Sequence, residues 1–258
     1  MKILALGDVF GEEAVKYVSS RLPDVISKMN IDLTVANCEN ASGATGVEPK
    51  AAEELLAAGC DVLTGGNHSF GKPAFLTYVE DKENVLRPAN YPPSAPGSGY
   101  CITRAATGER VLTVNLRGNG DMQPTLACPF ETLERILAHE SGNYDLCILD
   151  MHAEYTSEKL AMLYAFDGKV NVIFGTHTHV PTADAKITEK GTGYITDLGM
   201  CGPVNSILGV DSEAILRNMR HKLPTRFVTA DGPCRAMGAI FETDASTGKC
   251  TKVSRVEF

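Results

Sequence analysis

The chain has 258 residues and is 43% hydrophobic, enough to bury a large core. Its 24 Lys and Arg against 32 Asp and Glu give a net charge of -8. That balance excludes a basic track for long nucleic acids or for an anionic membrane surface, though not a local anion site.

The elements alternate from the first residues. Residues 3–6 read as a strand, too short an apolar run for the core of a signal peptide. Val15, Val18, Leu22, Val25, Ile26 and Met29 follow helical spacing, with a break or kink expected at Pro23. Residues 33–36 form a second strand. Pro49 opens a helix that carries Leu55 and Leu56 and can end at Gly59. Residues 62–64 form a third strand, and residues 73–79 a short helix. Residues 100–104 and 111–116 alternate as a hairpin around Thr107-Gly108. A helix from Pro129 presents Phe130, Leu133, Ile136 and Leu137. Residues 146–149 are a strand, 157–164 a helix and 170–174 a strand. Beyond Gly191 the pattern turns β-rich, with one helix near 213–221 and strands near 227–229, 237–242 and 251–257. The first part reads as βαβ units and the last as antiparallel strands. The expected sum is an α/β fold of two packed mixed sheets flanked by helices, as one domain over residues 1–258.

The 8 cysteines contain no CxxC pair. They are expected to be free thiols in a reducing cytoplasm. No window approaches the ~18 apolar residues of a membrane span.

Several of the apolar runs end in residues of metal-ligand type. The first runs into Gly7-Asp8, the second into Asn37-Cys38-Glu39-Asn40 and the third into Gly65-Gly66-Asn67-His68. Two later ones run into Asp150-Met151-His152 and Gly175-Thr176-His177-Thr178-His179. Ligands of parallel α/β sheets bind outside the carboxyl ends of the strands. Asp, Glu, Asn and neutral His together suit divalent first-row metals, and two such ions can hold a phosphate and acidify a water. Taken singly, each residue has a plainer reading. Asp8 serves equally as a helix N-cap, Glu39 as a solvated loop residue and His152 as a structural histidine. Their shared context favours a site. His139 and His221 lack it and read as structural. Arg87 and Arg117 read first as salt-bridged surface arginines and second as phosphate contacts. Glu154, Thr156 and Ser157 could touch substrate, with helix capping by Thr156 or Ser157 as the competing reading.

Gly7-Asp8, Glu39-Asn40, Gly66-Asn67-His68, His152 and Gly175-Thr176-His177-Thr178-His179 resemble the ordered motifs of the calcineurin-like metallophosphoesterases. The closer resemblance is to the YmdB-like branch, bacterial enzymes described as 2′,3′-cyclic nucleotide phosphodiesterases. It rests further on Arg87-Pro88-Ala89-Asn90, His152-Ala153-Glu154, Tyr194-Ile195-Thr196-Asp197 and Leu223-Pro224, and so spans nearly the whole chain. The resemblance implies a metallophosphoesterase-like α-β-β-α sandwich and two divalent metal ions, iron or manganese, with zinc also compatible. Asp8, Glu39, Asn40 and His179 would hold one ion. Glu39, Asn67, His152 and His177 would hold the other, with Glu39 bridging. A metal-activated hydroxide would attack a cyclic nucleotide or another small phosphodiester, with His68 as general acid. Phe10 stands where the wider superfamily has a histidine, and Glu39 where it has an aspartate; both departures match the closer branch. The alternatives are a phosphomonoesterase or nuclease on the same metal core, or a metal-stabilised regulatory scaffold with little turnover. Neither a membrane nor long nucleic acid is expected as a partner, and a homo-oligomer is compatible with the sequence.

Overall fold

A computed structural model describes residues Met1–Phe258. The chain runs β1 (Lys2–Leu6), β2 (Asp8–Val9), α1 (Glu12–Met29), β3 (Leu33–Asn37), α2 (Pro49–Ala57), β4 (Val62–Thr64) and α3 (Pro73–Glu80). It continues through β5 (Tyr100–Arg104), β6 (Arg110–Arg117), α4 (Pro129–His139), β7 (Leu146–His152), α5 (Thr156–Phe166) and β8 (Val172–Thr176). The last part holds β9 (Lys186–Ile187), β10 (Gly193–Ile195), β11 (Met200–Pro203), α6 (Ser212–His221), β12 (Cys234–Arg235), β13 (Met237–Thr243) and β14 (Cys250–Glu257). One sheet has the order β14-β13-β1-β3-β4 and the other β5-β6-β7-β8-β10-β9. Both are mixed. β1, β3 and β4 are parallel, with β13 and β14 added antiparallel. β6, β7, β8 and β10 are parallel, with β5 and β9 as antiparallel edges.

Strand periodicity sorts the side chains into layers. Ile3, Ala5, Leu33 and Val35 point inward and meet Val111, Ile148, Val172 and Phe174 of the second sheet. The alternate residues Leu4, Leu6 and Ala36 face outward onto α1 and α2 through Val15, Val18, Leu22 and Leu55. On the far side, Leu112, Val114, Leu149 and Ile173 pack against Leu133, Ile136, Met162 and Phe166 of α4 and α5. The result is the expected α-β-β-α sandwich.

Three details differ from the sequence reading. α1 runs through Pro23 without ending. Pro23 lies on the exposed side, and the buried stripe of Val15, Val18 and Leu22 holds the helix against the roughly 3 kcal/mol an interior proline costs. A third sheet, β12-β11-β2, was not expected. It starts at Gly7, where a Cβ would lie 1.9 Å from the carbonyl oxygen of Gly199. That close approach lets β2 pair with β11, placing Asp8 opposite Met200. Residues 227–229 are not a strand; Thr229 makes only an isolated bridge to Val210. All cysteines are free, with Cys128 exposed, Cys234 half-buried and the others buried. No helix is long and apolar enough to cross a membrane.

Candidate metal centre

The carboxyl ends of β1, β3, β4, β7 and β8 converge on one crevice. Glu39, His152 and His177 each present a ligand atom, and these atoms lie within 4.8 Å of one another. His152 is central and fully buried. Its Nε2 lies 3.2 Å from Glu39 Oε1, 2.9 Å from Asn67 Oδ1 and 3.1 Å from His177 Nδ1. Asp8 is also fully buried, and its Oδ2 accepts the His177 N–H at 3.0 Å. Asp8 Oδ1 lies 3.7 Å from His179 Nε2 and 3.9 Å from His152 Nδ1. Asn40 donates to Glu39 Oε1 at 3.1 Å. Asn40 and His179 thus join the cluster through Glu39 and Asp8. His68 donates its backbone N–H to Glu39 Oε2 at 2.9 Å, while its imidazole lines the adjoining cavity of about 600 Å³.

The helix-cap readings fall away. The N-cap of α1 is Gly11, so Asp8 caps no helix. α5 begins after Tyr155 without a side-chain cap, so neither Thr156 nor Ser157 caps it. Glu154 instead meets His177 Nε2 at 2.9 Å. Cys38, though next to Glu39 in sequence, belongs to the apolar cluster beneath α1, and burial pushes its thiol up to about 12.

The charged groups of the cluster act on one another. Burial opposes a proton on His152, but Glu39, Asp8 and Asp150 outweigh it and hold the imidazole up to about 9. Burial and the neighbouring His152 charge push His177 down to about 3. Burial raises the Glu39 carboxyl, yet His152 and His68 prevail and hold it at about 2. Burial likewise raises Asp8.

Two buried acceptors, Asp8 Oδ1 and Asn40 Oδ1, have no hydrogen-bond partner. Buried oxygens are rarely left so without an ion or water. At Gly66 a Cβ would lie 2.3 Å from both Glu39 Oε2 and His152 Nε2, so only glycine leaves the cradle open. The donor set, carboxylate, amide oxygen and imidazole without thiolate, fits divalent first-row ions.

A family model described as "YmdB-like protein" matches residues 4–256. The chain belongs to the YmdB-like family. It is 38% identical to a Bacillus subtilis protein named 2′,3′-cyclic-nucleotide 2′-phosphodiesterase, covering 99% of this chain and 96% of that one. It is 36% identical to a Mycoplasma pneumoniae protein named a putative phosphatase/phosphodiesterase, covering 99% and 92%. A solved structure of a hypothetical protein from Thermus thermophilus superposes with a TM-score of 0.93 at 36% identity, covering 100% of this chain and 99% of that one. A structure of a novel phosphatase from Mycoplasma pneumoniae gives 0.93 at 35% identity, covering 100% and 93%. YmdB-like membership implies divalent metals.

Several residues around this cluster were quoted in the sequence motifs without a role of their own. Asp150 is fully buried, and its carboxylate accepts from Thr176 Oγ1 at 2.7 Å, from Asn37 Nδ2 at 3.0 Å and from Thr64 Oγ1. Thr176 Oγ1 in turn accepts from His152 Nδ1 at 2.9 Å. This relay fixes the ring. Burial raises Asp150 to about 6, against the lowering effects of His152, Thr64, Thr176 and Asn37. Strand alternation was the available signal, since Asp150 and His152 share one face of β7 and Thr176 registers opposite His152. Also missed was the support of the His177-Thr178-His179 turn. His177 and His179 have φ of 96° and 63°, unusual for residues other than glycine. Asp197 Oδ2 accepts from Thr178 N at 3.2 Å, from Thr178 Oγ1 at 2.8 Å and from Lys159 Nζ at 2.8 Å. Lys159 and Asp197 are both fully buried.

The two arginines are corrected. Neither is a salt-bridged surface residue: Arg117 is fully buried and Arg87 only 6% exposed. Arg117 donates Nε to Gly118, Nη1 to Gln123 and Nη2 to Pro124 carbonyls, so it braces a loop. His139 and His221 lie on the surface, outside the site.

Proposed function

We propose that this phosphoric diester hydrolase cleaves 2′,3′-cyclic nucleotides with two divalent ions, iron or manganese, and with His68 as general acid, within one domain spanning residues 1–258. The carrying observation is the convergence of two carboxylates, two amides and three imidazoles around the unpartnered Asp8 Oδ1 and Asn40 Oδ1. The name of the full-length Bacillus subtilis relative supports the choice of substrate.

Asp8, Asn40 and His179 would hold one ion and Asn67, His152 and His177 the other, with Glu39 shared. Bound there, the ions supply Lewis acidity toward a phosphoryl oxygen and toward the attacking water. The chain orients the ligands. Leu208 accepts from His179 Nδ1 at 3.0 Å, which leaves Nε2 free to face Asp8. Thr176 does the same for His152 from the other side. Phe10, Leu208, Val210 and Phe227 form an apolar wall of the same cavity. His68 lines that cavity and donates a proton to the departing ribose oxygen, a poor leaving group as an alkoxide. General acid catalysis contributes about 10²–10⁴-fold.

The test compares His68→Ala with the parent on 2′,3′-cyclic AMP and on a nitrophenyl diester, whose leaving group needs no proton, with metal content measured in both proteins. The expected result is unchanged metal and a far larger loss on the cyclic nucleotide. Equal losses on both substrates would remove His68 from the role. No turnover of cyclic nucleotides with either metal loaded would remove the substrate.

A further inference from the structure

A second sizeable cavity lies away from the metal centre. It has a volume of about 910 Å³, lies between α3, α4 and the loop from Arg87 to Tyr100, and shares no lining residue with the metal-centre cavity. Arg87 lines it.

Arg87 is an uncompensated buried cation. Removing a guanidinium from water costs several kcal/mol unless an anion or a full set of acceptors replaces the water. Arg87 is 6% exposed, yet no carboxylate lies within ion-pair distance of it. Its Nη1 donates to the Pro88 carbonyl at 2.9 Å and its Nη2 reaches Ala95 only at 3.5 Å. Its Nε–H has no acceptor. The contrast with Arg117 is direct, since there each of the three nitrogens meets a carbonyl. Burial pulls the Arg87 pKa down, against a smaller opposing effect of the Tyr91 phenol.

The rest of the cavity carries both signs, with Glu80 and Glu83 among its lining residues. Arg135, exposed on α4, lines the same cavity and carries no salt bridge. Lys82 also lines it but is engaged with Glu53 at 2.6 Å. The other walls include the apolar Ile136 and Val79 and the rings of Tyr91 and Tyr100. Such a space holds a flat or apolar body behind a charged head. We propose that this cavity is a second ligand site, which takes a small organic oxyanion, a phosphate or carboxylate on a ring-containing body, with its charged head between Arg87 and Arg135. This role is separate from hydrolysis at the metal centre.

The test is calorimetric titration of the full chain with adenosine 5′-monophosphate, benzoate and inorganic phosphate. His177→Ala serves as a background in which the metal centre is disabled. The expected result is saturable binding of the nucleotide or of benzoate, retained in His177→Ala. Arg87→Met should weaken it about 10- to 100-fold, the worth of a charge-assisted hydrogen bond. Arg135→Ala should also weaken it while leaving hydrolysis unchanged. Preference for the nucleotide or for benzoate identifies the head group, and either supports the site. Should Arg87→Met fail to fold, Arg135→Glu decides, because Arg135 is exposed. Unchanged affinity in the Arg135 variants, binding lost in His177→Ala, no binding of any probe, or phosphate binding as tightly as both organic anions would overturn the proposal.

Discussion

Lys159→Met is the sharpest test of how the paired histidines are held. Lys159 Nζ lies 2.8 Å from Asp197 Oδ2, and neither side chain is exposed. Methionine keeps the length and removes the charge. Asp197 would keep donors from Thr178 and from the Gly199 N–H at 2.9 Å, but would lose its counter-charge. Breaking a buried pair from one side costs about 3–5 kcal/mol. The surviving donors place this site near the lower end, about 3 kcal/mol. At roughly 2–4 °C per kcal/mol for a chain of this size, metal-free protein should melt about 6–12 °C lower. The turn that Asp197 anchors carries two histidines in the left-handed region, so metal stoichiometry should fall as well. The assay is thermal melting followed by circular dichroism, with elemental analysis, on Lys159→Met, Asp197→Asn and the double variant. The double variant should be less destabilised than the two single losses summed, because the stranded charge is gone. A Lys159→Met protein within about 1 kcal/mol of the parent, or strictly additive losses, would refute the reasoning.

Thr176→Val removes the hydroxyl between His152 and Asp150, and should weaken metal binding about 10- to 100-fold with the fold intact by circular dichroism; unchanged affinity would mean the relay does not orient the ring. His177 should stay neutral in metal-free protein, so its ring proton resonances should not titrate between about pH 5 and 8, and a midpoint near the ordinary 6.5 would contradict the burial beside His152. Because its folded-state pKa is depressed, stability linked to His177 is fully present above about pH 6.5 and is lost as pH falls toward 3, so His177→Gln should flatten that part of the pH–stability curve. In folded protein near pH 8, Cys128 and Cys234 should react quickly with a thiol reagent, whereas Cys38, Cys60, Cys101, Cys147, Cys201 and Cys250 should react only on unfolding; rapid labelling of Cys38 or Cys201 would count against their burial.

Much of the architecture was legible because strand alternation is a strong signal. Ile3 and Ala5 inward against Leu4 and Leu6 outward already imply a sheet covered on both faces. The ligand-type residues were legible because each follows such a strand. The third sheet was not, since Met200–Pro203 is short, contains Gly202 and Pro203 and shows no alternation. Pro23 misled because the local rule ignores what the opposite face of the helix buries. The supporting network was hidden for another reason. Asp150, Thr176, Lys159 and Asp197 lie within or beside strands and helices, where polar residues read as ordinary, and only the register brings Thr176 opposite His152. Arg87 and Arg117 misled in the same way, because an arginine in a loop or at the end of a strand reads as solvated until the chain closes over it.

The crevice lies across the seam between the two sheets. Glu39 and Asn67 follow strands of one large sheet, His152 and His177 come from the carboxyl ends of strands of the other, and Asp8 opens the small third sheet directly after β1. The bond from His177 N to Asp8 closes a loop of 169 positions. Nothing can therefore be gripped there by one half of the chain alone. The crevice is assembled only when both halves have folded and docked, so an occupant would act as a rivet through the sandwich. Loss of that rivet should be felt as a loosening of the whole molecule rather than as a change in one loop.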